Sequence, residues 1–105
     1  MTLMDIRTFN DSLTGAAPPA GLSRPLQALW HAAKGDWDGA HNLVQQDEGE
    51  PVHDWVHAYL HRVEGDFSNA GYWYRRAGKP AAKGTTDSEW AAIVQALLAG
   101  GKSPA

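Results

Sequence analysis

Apolar side chains along this chain recur at helical spacing. Trp90, Ile93, Val94, Leu97 and Leu98 form one stripe. Val52, Val56, Tyr59, Leu60 and Val63 form another, and Phe67, Ala70, Tyr74 and Ala77 a third. Near the N-terminus, Leu3, Ile6, Phe9 and Leu13 fit the same period, with Thr2 as cap and Gly15 as stop. No stretch alternates with period two long enough to make a strand. The breaks between stripes carry end signals. Ser23-Arg-Pro25 opens a helix, since proline is tolerated in a first turn. The stretch Asp47 to Pro51 interrupts the chain and Pro51 restarts it. Gly78-Lys-Pro80 closes the next helix. Thr86-Asp-Ser-Glu89 reads as a capping box, with Thr86 covering the free amides and Glu89 reaching back. The pattern predicts six helices, at about 3–13, 24–34, 37–47, 51–64, 67–77 and 87–99. Ala16 to Gly21, with two prolines, is a linker, and the tail from Gly100 is expected to fray.

The middle of the chain repeats itself. With an offset of 30 residues, Ala28 falls on Ala58, His31 on His61, Gly35 on Gly65, Asp36 on Asp66, Trp37 on Phe67 and Ala40 on Ala70. Each half reads as helix, tight turn, helix. Gly35 and Gly65 supply the left-handed residue that ends a helix, where a Cβ would clash. Asp36 and Asp66 then cap the next helix and suit its positive end. Trp37 and Phe67 start that helix with a large apolar anchor. Ala40 and Ala70, on the same face, let two helices come close.

These residues, Ala28, His31, Gly35, Asp36, Trp37, Ala40 and Val44, then Ala58, His61, Gly65, Asp66, Phe67, Ala70 and Tyr74, resemble the tetratricopeptide repeat. The likeness covers residues 24–80. It departs in its 30-residue period, where the family uses 34, in having Arg24 or Asp54 where a large aromatic is expected, and in showing two units. The stretches WVHAYLHRVEGD and YWYRRAG also resemble a widespread family of small bacterial proteins with no assigned activity. The first likeness implies an all-α fold: antiparallel hairpins stacked as a short, TPR-like right-handed array with flanking capping helices. It also implies a scaffold that binds proteins or peptides without catalysis. The domain division is then one unit, 1–105. Residues 1–22 hold the N-terminal helix and linker, 24–47 the first hairpin, 51–77 the second and 87–99 a C-terminal capping helix.

Composition narrows the function classes. At 105 residues and 43% apolar, with five tryptophans, the chain suits one globular core without a metal or disulfide staple. Cysteine is absent, so no disulfide framework, thiol nucleophile or Cys-ligated zinc is available, which fits a reducing cytoplasm. Asp5, Arg7 and Asp11 rule the first thirteen residues out as a signal peptide, and no apolar run is long enough to span a membrane. A net charge of −3 argues against nucleic acid as partner.

Two constellations stand out. His53, His57 and His61 sit at about 0°, 40° and 80° on a helical wheel, flanking the apolar stripe of 51–64. A His-x-x-x-His pair on a helix is a workable metal chelate, and Glu64 on that face offers an oxygen. Against this, His61 and His31 occupy equivalent repeat positions, where a ring packs between the helices of a hairpin. His53 and His57 read as solvated groups or cross-helix hydrogen bonders ahead of metal ligands. No glutamate stands between them as a metalloprotease would need. The second constellation is Tyr72-Trp73-Tyr74-Arg75-Arg76. Tyr72 and Arg76 point away from the buried stripe, Trp73 flanks it, and aromatics beside arginines grip anionic or planar ligands. The serines and glycines form no nucleophile elbow or phosphate loop. The leading expectation is an interaction module with no cofactor, using Trp55, Tyr72, Arg76, His53 and His57, with a protein or peptide partner or a second copy of the chain. The competing expectation is a metal- or small-ligand-binding protein, with enzymatic activity a possibility, centred on His53, His57 and His61.

Overall fold

The computed structural model describes residues 4–100, and among these every regular element is helical: α1 (Ile6–Ser12), α2 (Arg24–Ala33), α3 (Trp37–Val44), α4 (Pro51–Val63), α5 (Phe67–Ala77) and α6 (Thr86–Leu98). A 3-10 turn, Gln45–Asp47, tightens the end of α3, so the predicted 37–47 helix divides in two. Leu3 and Thr2 lie outside the described residues. The cap of α1 is Asp5, whose carboxylate accepts the Thr8 amide at 2.9 Å.

The helix–glycine–aspartate–helix turn occurs twice with the same hydrogen bonds. Gly35 and Gly65 have φ of +83° and +87°. The amide of Asp36 reaches back to the His31 carbonyl at 2.9 Å, and that of Asp66 to the His61 carbonyl, also at 2.9 Å. This closes the last turn of the first helix on its free carbonyls. Asp36 then accepts from the Gly39 amide at 2.9 Å, and Asp66 from the Asn69 amide at 3.3 Å. Both aspartates do the capping that their position predicts. Ala40 and Ala70 are fully or nearly fully buried at the helix–helix contacts.

α4 is the central strut. It packs against α2, α3, α5 and α6, and α6 packs back across α1, α2 and α4, while α5 lies along α4. The main core fills the space between α1, α2, α3, α4 and α6 with Phe9, Leu29, Trp30, Leu60, Ile93 and Val94. Burial of each such side chain contributes about 1.5–3 kcal/mol. A smaller cluster, Ala58, Ala70, Trp73 and Tyr74, joins α5 to α4.

Three expectations change. Phe67 is not a buried anchor: it is 69% exposed, and Val63 is 45% exposed. Both stand at the α4–α5 turn, on the side where no further hairpin follows among the described residues. Trp37 at the equivalent place in the first hairpin is half-buried, because α4 covers it. The cap of α6 is Thr85, whose hydroxyl accepts the Ser88 amide at 3.0 Å, not Thr86. Glu89 is drawn inward instead of back to the cap. It accepts the Tyr74 hydroxyl at 2.5 Å and Arg62 Nη1 at 2.9 Å, tying α4, α5 and α6 together. A buried carboxylate is tolerated only with such partners.

Candidate metal centre

The side chains that gather chemistry lie where α3 crosses α4. His57 and His61 are one turn apart on α4, so their rings project from the same face. His41 comes from the last full turn of α3. Trp37, one turn before His41, fixes the crossing. Its indole N–H donates to the Leu60 carbonyl at 2.6 Å, and its ring stacks on His41 with centroids 4.7 Å apart.

The three imidazoles are in direct contact. His41 Nε2 and His57 Nε2 are 3.0 Å apart. One ring nitrogen from each of His41, His57 and His61 lies within 4.8 Å of the other two. His57 is stacked between His61 (4.8 Å) and Trp73 (3.9 Å). His57 and His61 are buried and His41 is half-buried, so the cluster opens to solvent on the α3 side.

Protonation states follow from this packing. Burial first, then the neighbouring His41 and His61 and the Arg76 guanidinium, push the His57 ring down to about 3. Burial, followed by His61, also lowers His41. Both rings are therefore neutral at physiological pH and carry a lone pair. His61 donates from Nδ1 to Glu64 Oε2 at 2.7 Å, so in the neutral ring Nε2 is the nitrogen that carries the lone pair. The Asn69 amide nitrogen, a donor, faces that Nε2 at 3.4 Å, in agreement with the tautomer. A carboxylate on the far nitrogen of a histidine is the usual way of orienting a metal ligand and raising its basicity. Glu64 thus supports His61 and does not itself enter the cluster.

Two buried ring nitrogens among the described residues have no hydrogen-bond partner, His53 Nε2 and His57 Nδ1, and the second belongs to the cluster. If His41 donates to His57, the orphan is an N–H; if His57 donates, it is a lone pair. Either costs about 1–3 kcal/mol, and such orphans in native proteins call for a reason beyond packing.

The residues singled out from the sequence divide. His57 and His61 join the cluster, but His53 does not. Its Nδ1 is 2.5 Å from Glu50 Oε1, the carboxylate that also caps α4. It lines a separate pocket of about 380 Å³ with Arg24, Leu26 and Leu97, between α2, α4 and α6. The reason is geometric. Eight residues of helix span about 12 Å, so His53 and His61 cannot converge on one ion. The third ring has to come from another helix. His31 stays near the surface, its Nδ1 3.6 Å from Asp36, so it does not share the setting of His61.

Trp55 is half-buried, contacts both core clusters and carries the Lys79 ammonium 4.2 Å from its ring. Tyr72 is 44% exposed. Arg76 lies 5.0 Å from the Trp73 ring centroid, and its Nη1 donates to the Tyr72 hydroxyl at 3.0 Å. Its Nε is 3.9 Å from Oδ2 of the fully buried Asp54, which accepts the Gly49 amide.

His41 is the site residue that the sequence pattern did not single out, and Trp73, which it placed on the flank of the α5 stripe, proves to stack on His57. A signal existed in the repeat itself. Thirty residues on from His41 stands Gly71, and thirty before His57 stands Gln27. Positions that agree between units hold the turn, whereas these two depart from it.

Comparison of the chain with protein-family models, curated proteins and solved structures finds no match. Among the described residues no helix is long and apolar enough to cross a membrane.

Proposed function

We propose that this chain is a small helical metal-binding protein that holds one divalent transition ion between α3 and α4 through His41, His57 and His61. The observation that supports this most directly is the convergence of three imidazole nitrogens from two helices within 4.8 Å. Nitrogen ligands on a tetrahedral ion with bonds near 2.0–2.1 Å are separated by about 3.3 Å. The 3.0 Å between His41 and His57 is already close to that, and a modest ring rotation closes the remainder. All-nitrogen ligation without thiolate suits zinc, cobalt, nickel or copper over magnesium or calcium.

Titration of metal-free protein with Co²⁺ or Zn²⁺, followed by calorimetry, tests the reading. One ion per chain is expected. His41→Ala or His61→Ala should weaken binding by about 100-fold or more, beyond the roughly 10–100-fold that loss of a ligand's supporting hydrogen bond costs, and His53→Ala should leave it unchanged. Binding that survives His41→Ala but is lost in His53→Ala overturns the assignment.

A second reading is favoured by a different observation. In a TPR-like stack the outer side of one hairpin is covered by the next, as α4 covers Trp37. Phe67 at the equivalent position is 69% exposed beside Val63. That open end suits an isologous contact with a second copy of the chain, which makes the protein an interaction module as well.

A further inference from the structure

We propose that the ion held by the three histidines carries a small oxyanion, a carboxylate or phosphate oxygen, on its remaining coordination position, with Arg76 and Tyr72 answering the ligand's charge. This rests on the metal-binding reading above. Three protein ligands leave a tetrahedral ion one position for an exchangeable group. The three imidazoles are neutral donors, so the ion keeps its double positive charge and selects for an anion. The carboxylates near His61 among the described residues are engaged elsewhere: Glu64 on its outer nitrogen, and Asp66 at the cap of α5.

The surroundings add a second cation with free donors. Trp73 forms a wall of the cluster, with His57 stacked on it at 3.9 Å, and the Arg76 guanidinium lies 5.0 Å from the centroid of the same indole. Arg76 does not close a tight pair with Asp54. The 3.9 Å separation is beyond hydrogen-bond reach, and both oxygens of Asp54 lie within 3.2 Å of the Gly49 amide. Arg76 gives one hydrogen bond, to the Tyr72 hydroxyl. That hydroxyl accepts, so its own proton remains free to donate. Both side chains are more than a third exposed. A guanidinium and a phenol packed on the same indole that walls the cluster make a fork for oxygen ligands. Lipophilic or neutral ligands would leave this charge unanswered.

The test uses full-length protein loaded with Co²⁺, whose visible d–d bands report changes in the fourth ligand. Acetate and inorganic phosphate are titrated separately, with acetamide as the neutral control. A saturable spectral change is expected with the anions and not with acetamide. The stronger of the two identifies the class. Arg76→Gln should weaken anion binding by about tenfold, the size of one charge-assisted contact, while cobalt affinity holds within about twofold. Because loss of Arg76 leaves Asp54 buried with one partner group fewer, Tyr72→Phe serves as a second variant that removes only a hydroxyl. It should weaken the anion about two- to threefold. Cobalt binding with no spectral response to either anion, or with a response that both variants leave intact, overturns the oxyanion assignment alone. Absence of stoichiometric cobalt binding overturns the metal reading, and this one with it.

Discussion

The two hairpins are made from the same turn but end in different surroundings. At α2–α3 and at α4–α5 a glycine in the left-handed region is followed by an aspartate with the same two hydrogen bonds. Yet the aromatic that follows is half-buried in the first case and 69% exposed in the second. The histidine that precedes it is near the surface in the first and buried among other rings in the second. The difference is position in the stack. The first hairpin has α4 lying on it, whereas among the described residues the second is followed by the single helix α6 and by no further hairpin. Turn geometry is therefore a property of each unit, and burial is a property of what lies next to it.

The largest expected effect divides the two aromatics. Trp37→Ala removes a packed ring and its hydrogen bond to Leu60 and should cost about 3 kcal/mol, whereas Phe67→Ala should change stability by less than about 0.5 kcal/mol. Urea unfolding measures both, and equal costs would mean that the second aromatic is covered in solution. A smaller effect should be the same in the two units. At both Gly35 and Gly65 an added Cβ would meet nothing within 4 Å. Valine at either site therefore costs backbone strain alone, about 1–3 kcal/mol. Values that differ by more than about 1 kcal/mol between the two sites would show that the turns are not equivalent, since additional coupling of that size needs a neighbour. The smallest effect on stability belongs to Phe67→Asp, which is read in mass instead. Light scattering after gel filtration should show wild type as a dimer and the variant as a monomer. A wild type that stays monomeric at its highest soluble concentration removes the case for self-association.

Much of the architecture is readable from residues close together along the chain. Ser23, Pro25, Asp36, Pro51, Asp66 and Gly78 mark helix ends because caps and turns are satisfied by groups within about six residues of each other. The same locality explains the failure at Thr86. A threonine stands on both sides of the helix start, and spacing to Glu89 favours Thr86 only if that glutamate turns back. Its capture by Tyr74 and Arg62, on two other helices, is invisible to a local pattern. The candidate site was half legible. His57 and His61 stand one turn apart and announce a shared face, but a row of three histidines on one helix suggested His53 as the third ligand, and axial distance forbids it.

The order of the helices, the Ser23, Asp36 and Asp66 caps and the two glycine turns were thus decided by the amino-acid sequence alone, through short-range sterics and hydrogen bonds. The tertiary structure decided which rings meet. Only the crossing of α3 over α4 brings His41 to His57, leaves His57 Nδ1 without a partner and sets Trp73 against it. Convergence of side chains from separate helices depends on how those helices pack, and packing is settled by the whole core and not by any one segment of it.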